Sequence, residues 1–364
     1  MSESISVVVA DDSPFICRLL TKYLESDPAI RVVREALNGQ EALDAVKTLK
    51  PDVLTLDLNM PVMNGLDALR CIMAECPVAV VLISGESKEA ARITGKGLSL
   101  GAVDFIFKYS PTRIISPDSL RREIIAKVRS ASRVKVIRYI PSMKRREFKH
   151  EGLKAETGNR SHLSKVRHRV SNFKSPASKI VVIGASTGGP LALKSLLSSL
   201  GRNFPFPLVI VQHMPEGFTK ILSEQFNRIF SFPVREARQG DALYPGTVII
   251  APGNRHLLIL PNGTVQLSMT PAVNGHRPSV DVTMQSAAQV FGSYATGVIL
   301  SGMGNDGARG LLAVSHHCGN TFAQSGETCV VDSMPASAIE KGIVERVGSP
   351  AEIGRWLLRR RGDG

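Results

Sequence analysis

Short apolar runs that each end in a polar or glycine-rich turn recur along this chain, and they constrain its fold more than any other feature. Stretches with apolar residues at helical spacing, such as 39–49 and 65–75, lie between these runs. In the first part of the chain the runs occupy 5–10, 53–56, 79–83 and 104–107. Strands that alternate with helices predict a parallel sheet with helices on both faces. A helix over 118–139, with Asp118 as its N-cap and Leu120, Ile124 and Val128 facing inward, is expected to close this domain.

The same alternation starts again at Lys179 and predicts a second α/β domain. Its apolar runs occupy 180–183, 208–211, 247–251, 256–260 and 297–300. Helical patterns lie at 191–200, before residue 229 and from about residue 307. The fold class is therefore α/β throughout, with two sheets, and the second sheet is expected to be doubly wound.

Positive charge is concentrated between the two α/β patterns. The formal net charge is +13, and residues 121–174 contain 17 Lys and Arg but only 4 Asp and Glu. The stretch 141–175 has no hydrophobic periodicity, and 35 residues would be an unusual loop inside one compact domain. We therefore divide the chain into a domain at 1–140, a basic linker at 141–175 and a domain at 176–364. An alternative is that the basic segment binds nucleic acid, but no helix-turn-helix pattern or interleaved aromatic residues accompany it.

The chain shows no sequence signal for membrane insertion or secretion. No run approaches the roughly 18 apolar residues of a membrane helix, and the N-terminus lacks a basic signal region. The five cysteines are odd in number and show no CxxC spacing, which favours reduced thiols over disulfides or a zinc site. These features predict a cytoplasmic location.

Four polar signals follow the runs of the first domain, where parallel strands present their carboxyl ends to ligands. Asp11 and Asp12 follow the first run, Asp57 the second, Ser84 the third and Lys108 the fourth. Three carboxylates that converge need a cation, and their hard oxygens suit Mg²⁺. A carboxylate beside Mg²⁺ can attack phosphorus and form an acyl phosphate. Lys108 would then pair with the phosphoryl charge and the Ser84 hydroxyl would hydrogen-bond to it.

A serine, a histidine and an aspartate occupy the corresponding positions in the second domain. Ser186 lies in Gly-Ala-Ser-Thr-Gly at 184–188, which satisfies the G-x-S-x-G pattern of an exposed nucleophile. His213 follows the next run, and Asp306 lies in a glycine-rich turn after the run at 297–300. The arrangement predicts that Ser186 attacks, His213 transfers the proton and Asp306 fixes the imidazole tautomer. The order Ser, His, Asp differs from the order Ser, Asp, His of α/β-hydrolases.

Residues 5–130 resemble response-regulator receiver domains, which have a flavodoxin-like fold. The resemblance is carried by Val9-Ala10-Asp11-Asp12-Ser13, by the segment 57–65 (Asp-Leu-Asn-Met-Pro-Val-Met-Asn-Gly), and by Ser84 and Lys108. It implies that Asp57 is the phospho-acceptor. It also implies that Asp12, Asp57 and the Asn59 carbonyl hold Mg²⁺, with Asp11 assisting.

Nearly the whole chain resembles the CheB family of chemotaxis protein-glutamate methylesterases. The Ser, His and Asp motifs carry this resemblance, together with Ala251-Pro252-Gly253 and the segment 275–281 (Gly-His-Arg-Pro-Ser-Val-Asp). It implies hydrolysis of glutamate γ-methyl esters, and deamidation of certain glutamines, on methyl-accepting chemoreceptors. The implied site residues are Ser186, His213 and Asp306, with Thr187 in support and the Met303 amide in the oxyanion hole.

The resemblance also implies a set of partners. The chemoreceptors would be substrates, and a chemotaxis histidine kinase would supply the phosphoryl group. Mg²⁺ would serve receiver phosphorylation, and ester hydrolysis would need no cofactor. We expect a monomer that binds no nucleic acid, does not insert into membranes and is recruited to receptor arrays. An esterase acting on small molecules stays open as an alternative, because the sequence does not show the shape of the acyl pocket.

Overall fold

The computed structural model describes residues 4–85, 87–108, 117–134 and 179–359. The linker predicted at 141–175 lies outside the described residues, as does the part of the helix predicted beyond residue 134. Two α/β domains account for the described chain. Within these residues no helix is long and apolar enough to span a membrane.

The N-terminal domain contains a five-stranded parallel sheet with the strand order β2-β1-β3-β4-β5, which is the flavodoxin-like order predicted for a receiver. The strands are β1 (Ile5–Ala10), β2 (Ile30–Ala36), β3 (Val53–Asp57), β4 (Ala79–Ser84) and β5 (Asp104–Phe107). The helices are α1 (Pro14–Leu24), α2 (Gly39–Leu49), α3 (Gly65–Glu75), α4 (Lys88–Ser99) and α5 (Pro117–Ser132). Strand β2 was not predicted, because it lies at the edge of the sheet and its three charged residues break the apolar run.

Short polar side chains start the first four helices of this domain. Ser13, Asn38, Asn64 and Ser87 each accept a hydrogen bond from the backbone amide three residues later. The prediction that Asp118 caps the fifth helix was wrong, because the helix begins at Pro117 and Asp118 lies in its first turn. Proline suits the first helical position, since its missing N–H would be unpaired there in any case.

The C-terminal domain contains a seven-stranded parallel sheet with the order β14-β13-β12-β6-β7-β9-β8. Its strands are β6 (Ile180–Ala185), β7 (Leu208–Gln212), β8 (Val234–Glu236), β9 (Val248–Ile250), β12 (Ala295–Ile299), β13 (Asn320–Gln324) and β14 (Arg346–Gly348). The run at 256–260 forms β10 (His256–Ile259), which pairs with β11 (Val265–Ser268) in a separate antiparallel hairpin. The helices are α6 (Gly189–Ser198), α7 (Phe218–Ile229), α8 (Val280–Phe291), α9 (Ala308–His316), α10 (Ser333–Ile339) and α11 (Pro350–Leu358).

The strand order reverses at β6, which starts the domain and lies between β7 and β12. In open parallel sheets a crevice forms at such a reversal, outside the carboxyl ends of the strands. The turns after β6, β7 and β12 therefore meet at one edge of the sheet. Apolar strand residues such as Val182 and Val209 are fully or almost fully buried, so this edge rests on a rigid core.

The two domains pack against each other through α4 and β5 of the first and α7 of the second. Phe218 at the start of α7 stacks on Phe105, with ring centroids 5.2 Å apart, and meets Phe107 edge to face at 5.0 Å. Gly95 on α4 lies against Ile221 on α7, where an added Cβ would come within 2.5 Å of the Ile221 Cγ2 atom. Both edge-to-face and offset aromatic pairs are favourable, so the three phenylalanines form an apolar bridge between the domains.

Candidate functional site

Ser186 lies in the tight turn between β6 and α6, and its backbone is held by the ends of β7 and β12 and by the first residue of α6. Its N–H donates to the Ser301 carbonyl at 3.0 Å. Its carbonyl accepts from the Gly189 N–H at 2.9 Å and from the Gln212 Nε2 at 2.8 Å. Gly188 has a φ of +74°, and an added Cβ there would lie 2.5 Å from Val330, so only glycine suits this turn. The turn presents Ser186 at the reversal point of the sheet.

His213 follows β7 and is fixed to the neighbouring strand by its own backbone N–H, which donates to the Ala185 carbonyl at 3.0 Å. Its buried side chain places Nε2 2.8 Å from the Asp306 Oδ2 atom. Its Nδ1 atom is buried and has no hydrogen-bond partner in the described part of the chain. Because Nε2 is held by Asp306, Nδ1 is the ring nitrogen left to accept a proton. The hydrogen bonds of the described residues do not include one between Ser186 and His213.

Asp306 is almost completely buried, with 1% of its surface exposed, and it accepts hydrogen bonds on both oxygens. Besides His213, its donors are Val280 N at 2.7 Å, Ser279 Oγ at 2.8 Å, Asp281 N at 3.2 Å and Asn274 Nδ2 at 3.3 Å. Burial alone would raise the pKa of Asp306, but the hydrogen bond and charge of His213 and these further donors hold that pKa well below its usual range. The structure therefore keeps an ionised carboxylate against the imidazole.

Thr187 follows Ser186 in the chain, and Met303 follows Gly302, which lies against the serine; both residues were predicted to support the site. The Thr187 carbonyl accepts from the Ser301 hydroxyl at 2.8 Å, and that hydroxyl also accepts from Val330 N and Val331 N. Gly302 lies so close to Ser186 that an added Cβ would come within 2.8 Å of the serine Cβ. Its neighbour Met303 donates no backbone hydrogen bond to any described residue. That amide is therefore available next to the serine.

Several residues at this site carried no predicted role. The His276 ring lies parallel to the His213 ring, with centroids 3.8 Å apart and an interplanar angle of 5°. Asn274, Ser279 and Asp281 surround Asp306 and come from the same segment. The segment 275–281 was used for the family resemblance, but nothing in a loop sequence shows which sheet edge it will reach. Only Ser279, which precedes the apolar start of α8, gave a local signal, because a serine at this position is typical of a helix N-terminus.

The carboxyl ends of β1 and β3 bring together the three carboxylates predicted for a metal. Side-chain oxygens of Asp11, Asp12 and Asp57 all lie within 4.8 Å of one another. Asp11 and Asp57 are buried, and Asp12 is exposed to solvent. Three oxygen donors at this separation suit a hard divalent cation such as Mg²⁺. Asn59 lies in the adjoining loop, two residues after Asp57, so its carbonyl belongs to the same edge.

Lys108 already neutralises part of this acidic pocket. Its Nζ atom lies 2.6 Å from Asp11 Oδ2 and 2.9 Å from Asp57 Oδ2. Burial raises the pKa of Asp57 above its usual value, the Lys108 charge opposes that rise, and the Asp11 charge adds to it. Burial alone would lower the pKa of Lys108, but its two carboxylate partners raise it. The lysine therefore stays charged beside Asp57.

Ser84 lies at the end of β4 and is tied to α4 in this structure. Its Oγ atom accepts a hydrogen bond from the Thr94 hydroxyl at 2.7 Å and lies 3.1 Å from the Gly85 carbonyl, to which it donates. Thr94 belongs to α4, the helix that packs on α7 of the second domain. Reorientation of the Ser84 hydroxyl towards Asp57 would therefore remove a hydrogen bond to the helix at the domain interface.

Comparison with known proteins matches each domain to a family. Residues 181–357 match the CheB methylesterase model, and residues 7–116 match the response regulator receiver domain. A Symbiobacterium thermophilum protein named protein-glutamate methylesterase/protein-glutamine glutaminase is 39% identical over 99% of this chain and 98% of its own length. A Halalkalibacterium halodurans protein of the same name is 40% identical over 95% of each chain. Among solved structures, the Thermotoga maritima CheB methylesterase catalytic domain is 44% identical, with a TM-score of 0.48, over 50% of this chain and 97% of that chain.

Proposed function

Because the chain belongs to the CheB methylesterase family and carries a receiver domain, we propose that it hydrolyses glutamate γ-methyl esters on methyl-accepting chemoreceptors. The products are methanol and the glutamate carboxylate. We propose that it also deamidates certain receptor glutamines, since an amide carbonyl accepts the same attack. The observation that carries this proposal is the buried His213–Asp306 pair beside the Ser186 turn, at the crevice of the second sheet.

In the proposed mechanism Ser186 Oγ attacks the ester carbonyl while Nδ1 of His213 accepts its proton. The bond to the methoxy group then breaks, and His213 returns the proton so that methanol leaves. A water molecule attacks the acyl-serine with His213 again as base, which releases the glutamate side chain and restores the hydroxyl. Asp306 holds Nε2 of the imidazole and stabilises its positive charge in both steps.

The negative oxygen of the tetrahedral intermediate needs donors that are in place before the reaction. Met303 N–H fits this role, because it lies one residue after Gly302 at the serine and donates to no described residue. One such donor contributes about 2.7–4 kcal/mol to transition-state stabilisation in other hydrolases. Thr187 supports the turn through its carbonyl, which Ser301 holds.

Ser186→Ala tests this mechanism most simply. The variant removes the attacking oxygen, so methanol release from methylated receptor should be abolished while phosphorylation of the receiver is retained. A small acyl ester, offered in parallel, distinguishes the receptor substrate from a general esterase. Full receptor demethylation by Ser186→Ala would place the nucleophile elsewhere, and faster turnover of the small ester than of the receptor would favour the general esterase.

We propose that the first domain regulates the second through phosphorylation of Asp57 by a chemotaxis histidine kinase. Asp12, Asp57 and the Asn59 carbonyl would hold Mg²⁺, with Asp11 beside them, and the bound ion would neutralise charge on the transferred phosphoryl group. Lys108 would pair with the phosphoryl oxygens from its position 2.9 Å from Asp57. The phosphoryl group adds a charge of about −1.5 to −2 to the pocket, which would draw Ser84 away from Thr94.

The packing of α4 and β5 on α7 supports an inhibitory role for the unphosphorylated receiver. Phe218 contacts both Phe105 and Phe107, and it begins the helix that follows the His213 turn. A protein that begins at Ser175 should therefore be more active than the unphosphorylated full-length chain, and indifferent to a phosphodonor. Equal or lower activity of the shortened protein would indicate that the receiver acts by positive contact or by localisation. We expect the enzyme to act in the cytoplasm at receptor arrays.

A further inference from the structure

Asp281 is a second buried carboxylate beside the proposed triad, and the mechanism above gives it no role. It lies in the first turn of α8 with 2% of its surface exposed. Its Oδ1 atom accepts from Gly307 N at 2.9 Å and from Gly310 N at 2.7 Å. Its Oδ2 atom accepts from Asn274 Nδ2 at 2.8 Å. Both carboxylate oxygens of Asp281 therefore accept hydrogen bonds from the protein.

These contacts make Asp281 and Asp306 cap each other's helices. Asp306 precedes α9 and accepts the first two amides of α8, Val280 N and Asp281 N. Asp281 is the second residue of α8 and accepts amides at the start of α9. Unpaired amides and the helix dipole favour a negative charge at each N-terminus. Displacement of either carboxylate would break hydrogen bonds at both helix ends.

Asn274 joins the two carboxylates directly. Its Nδ2 group donates to Asp281 Oδ2 at 2.8 Å and lies 3.3 Å from Asp306 Oδ1. Asn274 has a φ of +52°, a backbone conformation that asparagine tolerates better than most residues. A single side-chain amide thus bridges the two carboxyl groups.

The two carboxylates also interact unfavourably as charges. Burial raises the pKa of Asp281, and the nearby charge of Asp306 raises it further. The hydrogen bonds from Gly310, Asn274 and Gly307 oppose this rise, so the ionised carboxylate depends on the same contacts that tie it to the loop carrying Asp306.

We propose that Asp281 is a positioning residue, which fixes the Asp306 carboxylate on His213 through the Gly307 amide and the Asn274 bridge. This inference rests on the proposed Ser-His-Asp mechanism. Asp281→Asn would point an amide N–H at a group that now donates a hydrogen bond to Asp281, either Asn274 Nδ2 or the amides of Gly307 and Gly310. The loop that carries Asp306 would then shift. Misplacement of a catalytic group by about 1 Å costs up to about 100-fold in rate.

The test compares kcat and KM for receptor demethylation by the full-length protein, saturated with an acyl-phosphate donor. Asp281→Asn should lower kcat about 10- to 100-fold and leave KM unchanged, because the affected step is proton transfer rather than binding. Asn274→Gly removes the bridge and suits the positive φ, and it should lower kcat by a smaller factor. If Asp281→Asn does not fold, Asn274→Gly alone decides.

Glu352→Gln is the matched control. Glu352 accepts from Ser349 N and Ser349 Oγ at the start of α11, so the variant removes a carboxylate from a helix N-terminus that follows the edge strand β14, with two strands between β14 and β6. It should lower the melting temperature and leave kcat unchanged. The proposal is overturned if kcat of the folded Asp281 and Asn274 variants matches that of this control, or if only KM changes. Asp306→Asn distinguishes failure of the proposed triad from failure of this inference. Full activity of Asp306→Asn would reject the triad itself. An inactive Asp306→Asn together with a fully active Asp281→Asn would reject only the role of Asp281.

Discussion

Gly95→Ala should activate the enzyme without phosphorylation, because it places a methyl group in the domain interface. The new Cβ would lie 2.5 Å from Ile221 Cγ2, about 1 Å closer than carbon atoms normally approach. Overpacking of this kind costs about 1–3 kcal/mol. The same substitution favours the helical state of α4 by about 1 kcal/mol, so the receiver itself should stay folded. The penalty falls on the contact between α4 and α7.

A loss of about 1–3 kcal/mol from the docked state corresponds to about a 5- to 150-fold rise in basal activity. The assay is the initial rate of methanol release from methylated receptor, with and without an acyl-phosphate donor. We expect the rate of unphosphorylated Gly95→Ala to approach the rate of the phosphorylated parent. Phosphorylation should then change the rate of the variant only slightly. The difference between the two states would then nearly disappear.

Ile221→Ala supplies the control, since it removes the side chain that the new methyl group would strike. The double variant should have a lower basal rate than Gly95→Ala alone, so the two effects should not add. If Gly95→Ala has the basal rate of the parent and is still activated by the phosphodonor, this contact does not inhibit the enzyme. The reasoning from the packed interface would then be refuted.

Three further predictions concern the two sites. Asp57→Asn should abolish Mg²⁺-dependent labelling by a radioactive acyl phosphate, and chelation of Mg²⁺ should do the same for the parent; labelling that persists in the variant would reject the acceptor. Asp306→Asn should retain a residual rate of ester hydrolysis about 10⁴-fold below the parent, because Ser186 and His213 remain but the imidazole is held in the wrong tautomer; an unchanged kcat would contradict this. Because the pKa of Asp306 is lower in the folded state than its usual value of 3.8, the ionised carboxylate adds to the free energy of unfolding. This contribution is fully present above pH 3.8 and is lost as the pH falls towards the folded-state pKa, by up to about 1.4 kcal/mol per pH unit. The difference in unfolding free energy between the parent and Asp306→Asn should therefore shrink below pH 4, and a constant difference in chemical denaturation would count against it.

The parts of the fold that the sequence predicted were those with a strong local pattern. The buried strands β1, β3, β4 and β5 are apolar runs, and a residue of the acidic pocket or its surroundings ends each strand or directly follows it. Because parallel strands end at the same edge of a sheet, the closeness of Asp11, Asp12 and Asp57 followed from their positions after these strands. The pairing of His213 with Asp306 could be anticipated in the same way.

Other features depend on tertiary contacts that no local pattern records. Strand β2 was missed because exposed charged residues such as Arg31 and Arg34 interrupt its apolar run at the edge of the sheet. The stacking of His276 on His213 depends on where a loop crosses the sheet edge. The ion pairs of Lys108 and the hydrogen bond that Thr94 donates to Ser84 belong to one conformation of the receiver. The sequence names these residues but does not show which of their possible partners each one contacts.

The central claim is that one chain joins a Ser186-dependent esterase to a phosphorylation switch at Asp57. Methanol release from methylated receptor by the full-length protein, measured with and without an acyl-phosphate donor in the presence of Mg²⁺, tests it most directly. We predict slow release without the donor and a rise of about 5- to 150-fold with it. Release that is absent under both conditions, or equal with and without the donor, would contradict the account.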